Sequence, residues 1–310
     1  MRTFLVTGGA GFIGSHIVEA LLARGDRVRV LDNLSTGTRA NLPADKRVEL
    51  IEGDLTDGAA VRAAVQNVDC IFHEAALASV PRSIEHPLDT HAACVTGTVM
   101  LLDAARQSGV RRVVYAASSS AYGDLAAASK RETDLPNPLS PYAAAKLAGE
   151  FYMRAFAISY GIETVALRYF NVFGPRQDPN SPYSAVIPLF TSALLNGKQP
   201  QIFGDGTQSR DFTFVANVVS GNLLAADAPG VSGKVFNLAG GRSITLLELL
   251  RLINLQLGTK VEPIFQPPRT GDVRDSMADI NEARRLLKFE PSVSFEEGLR
   301  ITVDYYRGAR

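Results

Sequence analysis

A glycine-rich turn near the start of the chain limits the fold more than any other stretch. Residues 3–7 are an apolar run typical of a buried strand, and an amphipathic segment that ends near Arg24 is typical of a helix. Between the two lie three regularly spaced glycines, Gly8, Gly11 and Gly14. Glycines here allow a tight turn and let the backbone amides of the helix N-terminus approach a pyrophosphate. The pattern predicts a dinucleotide-binding βα unit, although a plain glycine turn would also fit it.

Alternating strands and helices follow this turn. Residues 27–31 predict a second strand that ends in Asp32, whose carboxylate can accept the adenosine ribose hydroxyls and repels a 2′-phosphate. The later predicted strands are 47–52, 68–73, 111–117 and 162–168, and the later helices lie at about 57–66 and 88–108. This order predicts an α/β, Rossmann-type fold with a doubly wound parallel sheet that binds its ligands at the carboxyl ends of the strands. Asp32 predicts that the cofactor is NAD rather than NADP.

Two more strand ends carry residues suited to a cofactor. Asp54 and Leu55 can receive the adenine edge, and the small residues Ala75 and Ala76 can pass beneath the ribose and the pyrophosphate. Asp54 could equally be a helix cap near Thr56, so both interpretations stay open.

A Tyr-x-x-x-Lys pair opens a further predicted helix midway along the chain. Ser140 is a good N-cap and Pro141 a good first helical residue, which places Tyr142 in the first turn and Lys146 on the same face. A cation about 4 Å from the phenol favours the phenolate by up to ~4 kcal/mol at intermediate dielectric. We therefore expect the pKa of Tyr142 to fall from about 10 towards neutrality, so that it can act as a base. Alone, the pair could also be two surface residues.

Further segments extend this pattern over nearly the whole chain. They are Ser118 after the strand at 111–117, and the motifs at 73–76 (His-Glu-Ala-Ala), 79–83 (Ser-Val-Pro-Arg-Ser), 137–142 (Asn-Pro-Leu-Ser-Pro-Tyr), 168–174 (Arg-Tyr-Phe-Asn-Val-Phe-Gly) and 271–274 (Gly-Asp-Val-Arg). With the glycine turn and the Tyr-x-x-x-Lys pair, they resemble the extended short-chain dehydrogenase/reductase superfamily. Within it they resemble the nucleotide-sugar 4-epimerases, and most closely the bacterial UDP-N-acetylglucosamine 4-epimerases.

This resemblance implies reversible C4 epimerisation of a UDP-hexose through a 4-keto intermediate, with tightly bound NAD. It makes Tyr142 the base, Ser118 the partner of the substrate O4, and Lys146 the group that lowers the Tyr142 pKa and bonds the nicotinamide ribose. The implied cofactor contacts also include Phe12, Ile13, Asn33, Ser35, Gly37 and Tyr169. The implied substrate contacts are Ser79, Arg82, Ser119, Ser120, Asn171, Arg210, Arg269, Asp272 and Ser276.

Ser276 bears on the choice of sugar. It aligns with a position where epimerases restricted to UDP-Glc and UDP-Gal usually carry a tyrosine, and a smaller residue leaves room for an acetamido group. We expect UDP-GlcNAc and UDP-GalNAc as substrates, with UDP-Glc and UDP-Gal as a second pair. Ser119 and Ser120 stand where related dehydratases carry an Asp-Glu pair, which argues against elimination. A UDP-hexuronate 4-epimerase that uses Arg82, or a non-catalytic NAD-binding sensor, stay as alternatives.

The chain departs from the resemblance at Cys94 and His91, where asparagines are frequent, and a thiol cannot donate and accept as an amide does. Cys70 and Cys94 have no metal-type spacing, so we expect no metal site and a reducing cytoplasm. The 32 basic residues equal the 32 acidic ones, which gives no overall field to attract nucleic acid or a membrane. A diphosphate must therefore be held by local arginines.

The regular alternation ends after residue 168. We expect an NAD-binding domain over 1–171, with returning segments at about 211–240 that include strands at 212–215 and 235–238. The UDP-sugar-binding domain should then be formed by 172–210 and 241–310. The resemblance further implies a homodimer packed through the helices at about 88–108 and 142–160, where small residues allow close approach: Ala143, Ala144, Ala148 and Gly149.

Overall fold

A computed structural model describes residues 1–127, 129–179, 185–268 and 274–308. Its strands, in chain order, are β1 (Thr3–Thr7), β2 (Arg27–Asp32), β3 (Val48–Glu52), β4 (Cys70–His73), β5 (Arg112–Ser118), β6 (Glu163–Tyr169), β7 (Val172–Phe173), β8 (Gln201–Phe203), β9 (Ser209–Asp211), β10 (Thr213–Phe214), β11 (Lys234–Leu238), β12 (Ser243–Thr245), β13 (Ile264–Gln266) and β14 (Asp275–Ser276). Its α-helices are α1 (Phe12–Ala23), α2 (Gly58–Ala64), α3 (Val80–Glu85), α4 (Pro87–His91), α5 (Gly97–Gln107), α6 (Pro141–Tyr160), α7 (Val186–Leu195), α8 (Val215–Asp227), α9 (Leu246–Leu257) and α10 (Phe295–Gly308).

A parallel sheet of seven strands organises the molecule, in the order β3-β2-β1-β4-β5-β6-β11. Alternate residues of each strand face opposite sides, so Phe4 and Phe72 enter the core beneath α1 and α8, while Leu5 and Ile71 enter the core beneath α5 and α6. The predicted doubly wound parallel sheet is confirmed. The order reverses between β1 and β4, and open α/β sheets bind ligands outside the carboxyl ends of the strands at such a point.

The helix predicted over 88–108 is not uniform. The α-helices α4 and α5 are joined by a π-helical turn at Ala92–Thr96, which contains the buried Cys94. The Thr98 hydroxyl donates to the Cys94 carbonyl oxygen over 2.7 Å. A π-turn widens the helix by one residue, and such turns are frequent at functional sites.

The strand predicted at 212–215 was wrong in extent and in position. Only Thr213–Phe214 is extended, it pairs with β7 outside the large sheet, and Val215 begins the helix α8. Residues 213–215 resemble a strand because β-branched and aromatic side chains adjoin there, but Val218 and Asn222 continue the buried side of a helix. The strand predicted at 235–238 is confirmed as β11, which pairs with β6.

A third core lies in the second half of the chain, among residues that include Phe173, Phe190 and Leu299. It packs α7, α9 and α10 together, while the exact domain boundaries stay a prediction. Within the described ranges, no helix is long and apolar enough to cross a bilayer.

Candidate functional site

The glycine turn is held so tightly that side chains cannot replace its hydrogens. Gly8 has φ +68°, and a Cβ there would lie 2.8 Å from the Ala75 backbone. A Cβ on Gly14 would lie 2.2 Å from the Gly8 carbonyl oxygen. No side chain among the described residues caps α1, so the first-turn amides of Phe12 and Ile13 keep their donors available to a ligand. The turn therefore fits a pyrophosphate, as the sequence predicts.

Asp32 ends β2 directly beside this turn. Its two carboxylate oxygens accept the Ala10 and Leu34 amides at 2.9 and 2.8 Å. Each carboxylate oxygen has a second lone pair, so Asp32 can still accept ribose hydroxyls. Gly37 closes the following loop against the turn, since a Cβ there would lie 2.7 Å from the Ala10 carbonyl carbon.

Asn33 and Asp54 join two neighbouring strand ends. The Asn33 amide donates to Asp54 over 2.6 Å, and the Ser35 hydroxyl donates to Asn33 over 2.7 Å. Asp54 also accepts the amide and the hydroxyl of Thr56, and these bonds lower its pKa. These bonds to Thr56 support the interpretation of Asp54 as a turn and cap residue, while its contact with the adenine edge stays a prediction. Leu55 is buried beside it.

The end of β4 is fixed against β1 by a buried histidine. The Thr98 hydroxyl donates its proton to the Cys94 carbonyl, so it accepts a hydrogen bond from Nε2 of His73 at 2.9 Å. The other ring nitrogen of His73, Nδ1, accepts from the Thr7 hydroxyl at 2.8 Å. Burial lowers the pKa of His73 to about 3, which keeps the ring neutral. Ala75 and Ala76 follow directly, with the Ala75 amide donating to Thr7.

The proposed catalytic helix begins as predicted. The Ser140 hydroxyl accepts the Ala143 amide at 3.1 Å, and Pro141 is the first residue of α6. Lys146 is only 3% exposed, and its ammonium donates to the Ala116 carbonyl over 2.8 Å. The hydroxyl of Ser118, at the end of β5, lies close enough to the Tyr142 phenol to lower its pKa. The structure thus brings Ser118, Tyr142 and Lys146 together at the sheet edge.

The expected fall in the Tyr142 pKa is not found in the protein alone. Burial raises this pKa and the negative charge of Glu74 raises it further, while the Ser118 hydroxyl lowers it. Burial also lowers the pKa of Lys146, whose ammonium bonds a backbone carbonyl. Helical spacing predicts that the two side chains share one face of α6, but it carries no information on how much water reaches the phenol.

A half-buried carboxyl lies at the same edge, and the sequence predicts no role for it. Glu74 accepts a hydrogen bond from the Tyr169 hydroxyl at 2.8 Å, and this hydroxyl is also bonded by the Asn222 amide at 2.7 Å. Burial raises the pKa of Glu74 to about 7, and Tyr169 and Lys146 oppose the rise. The available signal was a charged residue directly after a predicted strand whose centre, Cys70–Phe72, is apolar.

Three of the proposed substrate residues meet on the other side of the cleft. Asn171 adopts φ +34° and donates to the Asp211 carbonyl at 2.9 Å and to the Ser276 hydroxyl at 3.2 Å. Ser276 is the register partner of Arg210 in the pairing of β14 with β9. Asn171 and Arg210 line a cavity of about 470 Å³ whose walls are largely apolar and include Phe173 and Phe190. Such a cavity can accept a flat nucleobase with its phosphates near Arg210.

The remaining substrate predictions have weaker geometric support. Ser79 caps α3 by accepting the Arg82 amide at 3.2 Å, and α3 packs against α6. Ser119 and Ser120 form the 3₁₀ turn after Ser118, whose hydroxyl accepts from Ser120 over 2.8 Å. The predicted contacts Arg269 and Asp272 lie outside the described residues.

Comparison with known proteins adds the family. The model of the NAD dependent epimerase/dehydratase family matches residues 4–239. The chain belongs to this family. It is 41% identical, over 99% of both chains, to the UDP-glucose 4-epimerase of Mycolicibacterium smegmatis. It is 32% identical, over 98% of this chain and 96% of the relative, to the UDP-glucuronate 4-epimerase of Thermodesulfobacterium geofontis.

A solved structure supports the same family assignment. The UDP-N-acetylglucosamine 4-epimerase of Methanobrevibacter ruminantium, in complex with UDP-N-acetylmuramic acid, superposes with a TM-score of 0.96 at 41% identity, covering 100% of this chain and 99% of that one. Membership of the family confirms the predicted NAD dependence and the class of enzyme, which is a UDP-sugar 4-epimerase. The alternative of a non-catalytic NAD-binding sensor is therefore excluded.

Proposed function

We propose that the enzyme interconverts UDP-GlcNAc and UDP-GalNAc, with UDP-Glc and UDP-Gal as a second substrate pair. The observation that carries this choice is Ser276, a small half-buried residue whose hydroxyl is bonded by Asn171 within the nucleotide side of the cleft. A tyrosine at this position would fill the space next to Asn171. A serine leaves that volume to a substituent on the sugar.

The reacting groups have separate tasks in this proposal. Tyr142 takes the proton of the substrate O4 and later returns it, while Ser118 bonds the same oxygen and keeps it near the phenol. NAD, held by the glycine turn, Asp32 and Lys146, would supply the chemistry for removing the C4 hydride and returning it. The cofactor is regenerated in each cycle and stays bound, in contact with the glycine turn, Asp32 and Lys146.

The Tyr142 phenolate needs positive charge to offset its burial. Lys146 is the nearest basic side chain on the same helix face, and the nicotinamide cation adds to its effect. The base therefore forms in the holoenzyme, where both charges act on it, because burial raises the pKa of Tyr142 in the protein alone.

A UDP-hexuronate is the second candidate substrate. The Arg82 side chain has no ion pair with any residue that the structure describes, and its helix α3 lies against α6, which carries Tyr142. An arginine at this place could hold the C6 carboxylate of a uronic acid.

We also propose a homodimer that works in the cytoplasm. Support for the dimer comes from α4 and α6, which expose Leu88 and Phe151 on one face of the molecule. Support for a reducing compartment comes from Cys70 and Cys94, which are buried free thiols.

The substrate assignment is tested by a gate variant. The initial rates on UDP-GlcNAc, UDP-GalNAc, UDP-Glc, UDP-Gal and UDP-glucuronate are measured by chromatography for the wild type, Ser276→Tyr and the control Ser276→Ala. Overfilling a packed site costs roughly 1–3 kcal/mol, so kcat/KM for UDP-GlcNAc should fall about 5- to 150-fold more than for UDP-Glc in Ser276→Tyr. Equal losses on both sugars in this variant would show that Ser276 is not the gate.

A further inference from the structure

Glu74 lies on the floor of the cleft, where the mechanism above gives it no task. Tyr169 is the register partner of Ser118, and its side chain reaches Glu74 at the end of β4. Because β5 lies between β4 and β6, this hydrogen bond crosses beneath the end of the strand that carries Ser118. The charge of Glu74 acts on Tyr142 and on Lys146. The carboxyl is therefore close to the reacting groups without being one of them.

The surroundings of Glu74 compensate its charge only in part. Its partners among the described residues are the neutral Tyr169 and, at longer range, Lys146, whose ammonium is bonded to the Ala116 carbonyl. A carboxylate partly removed from water and without a cation in direct contact is costly, which is why burial raises the pKa of Glu74 to about 7. A carboxyl kept at this position gains most from a ligand that carries a positive charge to the same end of the cleft.

We propose that Glu74 controls the charge state of the bound cofactor, because its carboxylate, held by Tyr169, favours the cationic NAD⁺ over the neutral NADH. Hydride transfer breaks the C4–H bond of the sugar and forms a C–H bond on the nicotinamide, whose positive charge is lost, while the O4 proton passes to Tyr142. Glu74 makes and breaks no bond. Its attraction to the cation stabilises the oxidised cofactor and thereby favours return of the hydride to the ketose.

The same carboxylate also repels the Tyr142 phenolate, so turnover combines two opposing effects. A test must therefore compare the two cofactor forms without any sugar. The proposal rests on NAD binding at the proposed site. It does not rest on the identity of the sugar, so a wrong substrate assignment would leave this test unaffected.

The proposal predicts a pH dependence of known sign. The titratable groups that face Glu74 are Tyr169 from β6 and Tyr142 and Lys146 from α6, and the neutral Asn222 faces it from α8. The carboxyl of Glu74 itself has a pKa of about 7. The preference for NAD⁺ should be largest at pH 8.5, where Glu74 is ionised, and should shrink below about pH 6, where it is protonated. Bound NAD⁺ itself lowers the Glu74 pKa and moves this change to lower pH.

The experiment measures the ratio of bound NAD⁺ to bound NADH. Each protein is incubated with an equimolar excess of both forms until the ratio is constant, the free cofactor is removed by rapid gel filtration, and the bound cofactor is extracted and chromatographed. Glu74→Gln keeps the size of the side chain and an oxygen for Tyr169, but removes the charge. Glu74→Asp keeps the charge. Glu49→Gln removes one exposed negative charge from β3, away from the cleft.

At pH 8.5 the ratio should fall roughly tenfold in Glu74→Gln, the effect of one unit charge at intermediate dielectric and a separation of about 10 Å. Most of the preference should persist in Glu74→Asp, and all of it in Glu49→Gln. At pH 5.5 the wild type and Glu74→Gln should have similar ratios. An unchanged ratio in Glu74→Gln at pH 8.5 would overturn the proposal. So would an equal loss of both cofactor forms, because a purely structural carboxyl would not distinguish them.

Discussion

In the proposed mechanism, Tyr142 acts as a base at a position where burial opposes its ionisation. The Ser118 hydroxyl favours the phenolate, and the negative charge of Glu74 disfavours it. Removing the hydroxyl should therefore remove the proton transfer and leave the cleft intact. A positioned acid or base contributes about 10²- to 10⁴-fold to a rate.

Tyr142→Phe should lose at least ~10²-fold in kcat on every accepted UDP-sugar, while the amount of NAD that copurifies with the protein stays at the wild-type level. Tyr152→Phe is the matched control, because it removes a phenol hydroxyl from an exposed position of the same helix. Near-normal turnover by Tyr142→Phe would exclude Tyr142 as the base.

At this scale the sequence predicted where the candidate residues lie in the fold better than it predicted their surroundings. Ser118, Tyr142 and Lys146 could be placed because helical spacing and strand ends are local properties of the chain. The raised pKa of Tyr142 and the carboxyl of Glu74 could not, because both depend on how completely β4, β6 and α8 exclude water. Burial by distant segments leaves no local pattern.

The helix α6 connects one local interaction to the chemistry. Its N-cap bond, from the Ala143 amide to the Ser140 hydroxyl, lies two residues before Tyr142 in the chain. Loss of an N-cap costs about 1 kcal/mol and allows the first turn to fray. Fraying here displaces the base from the substrate oxygen.

Ser140→Ala should lower the free energy of unfolding by about 1 kcal/mol, measured by urea denaturation, and should also lower kcat severalfold. Thr245→Ala removes the equivalent bond to the Glu248 amide in α9, far along the chain from the base. It should lower stability by a similar amount and leave kcat unchanged. If kcat responds equally in the two variants, the cap has no specific effect on Tyr142.

Elements whose apolar residues follow one clear periodicity were predicted well. Segments whose local preference and tertiary packing disagree were not. β11 was correct because an apolar strand in a parallel sheet needs no turn partner nearby. The start of α8 was missed because Thr213, Phe214 and Val215 favour a strand locally, whereas packing against β6 and α1 requires a helix from Val215 onwards. Tertiary contacts decide such cases.

For the whole molecule, the parallel, doubly wound character of the sheet followed from the order of strands and helices alone, but the expected dimer surface needs revision. A Cβ on Gly149 would lie 2.2 Å from the Tyr115 hydroxyl oxygen, and Ala143 is buried, so both pack on their own sheet. Ala144 is exposed and lines a groove with Leu88 and His91. The candidate dimer surface is therefore the outer face of α4 and α6.

This face exposes large apolar side chains to solvent. Leu88 is 81% exposed on α4 and Phe151 is 61% exposed on α6. Leu88 lines the groove, Phe151 is exposed on the helix that forms its other wall, and exposed large apolar side chains of this kind are typical of an interface between subunits. We expect a dimer at micromolar concentration by size-exclusion chromatography with light scattering.

Leu88→Glu should shift this dimer towards monomer, because burying an unpaired carboxylate is costly. Leu255→Glu adds the same charge at a 71% exposed position of α9 and should stay dimeric. A monomeric wild type would reject the dimer, and a dimeric Leu88→Glu would place the interface elsewhere on the surface.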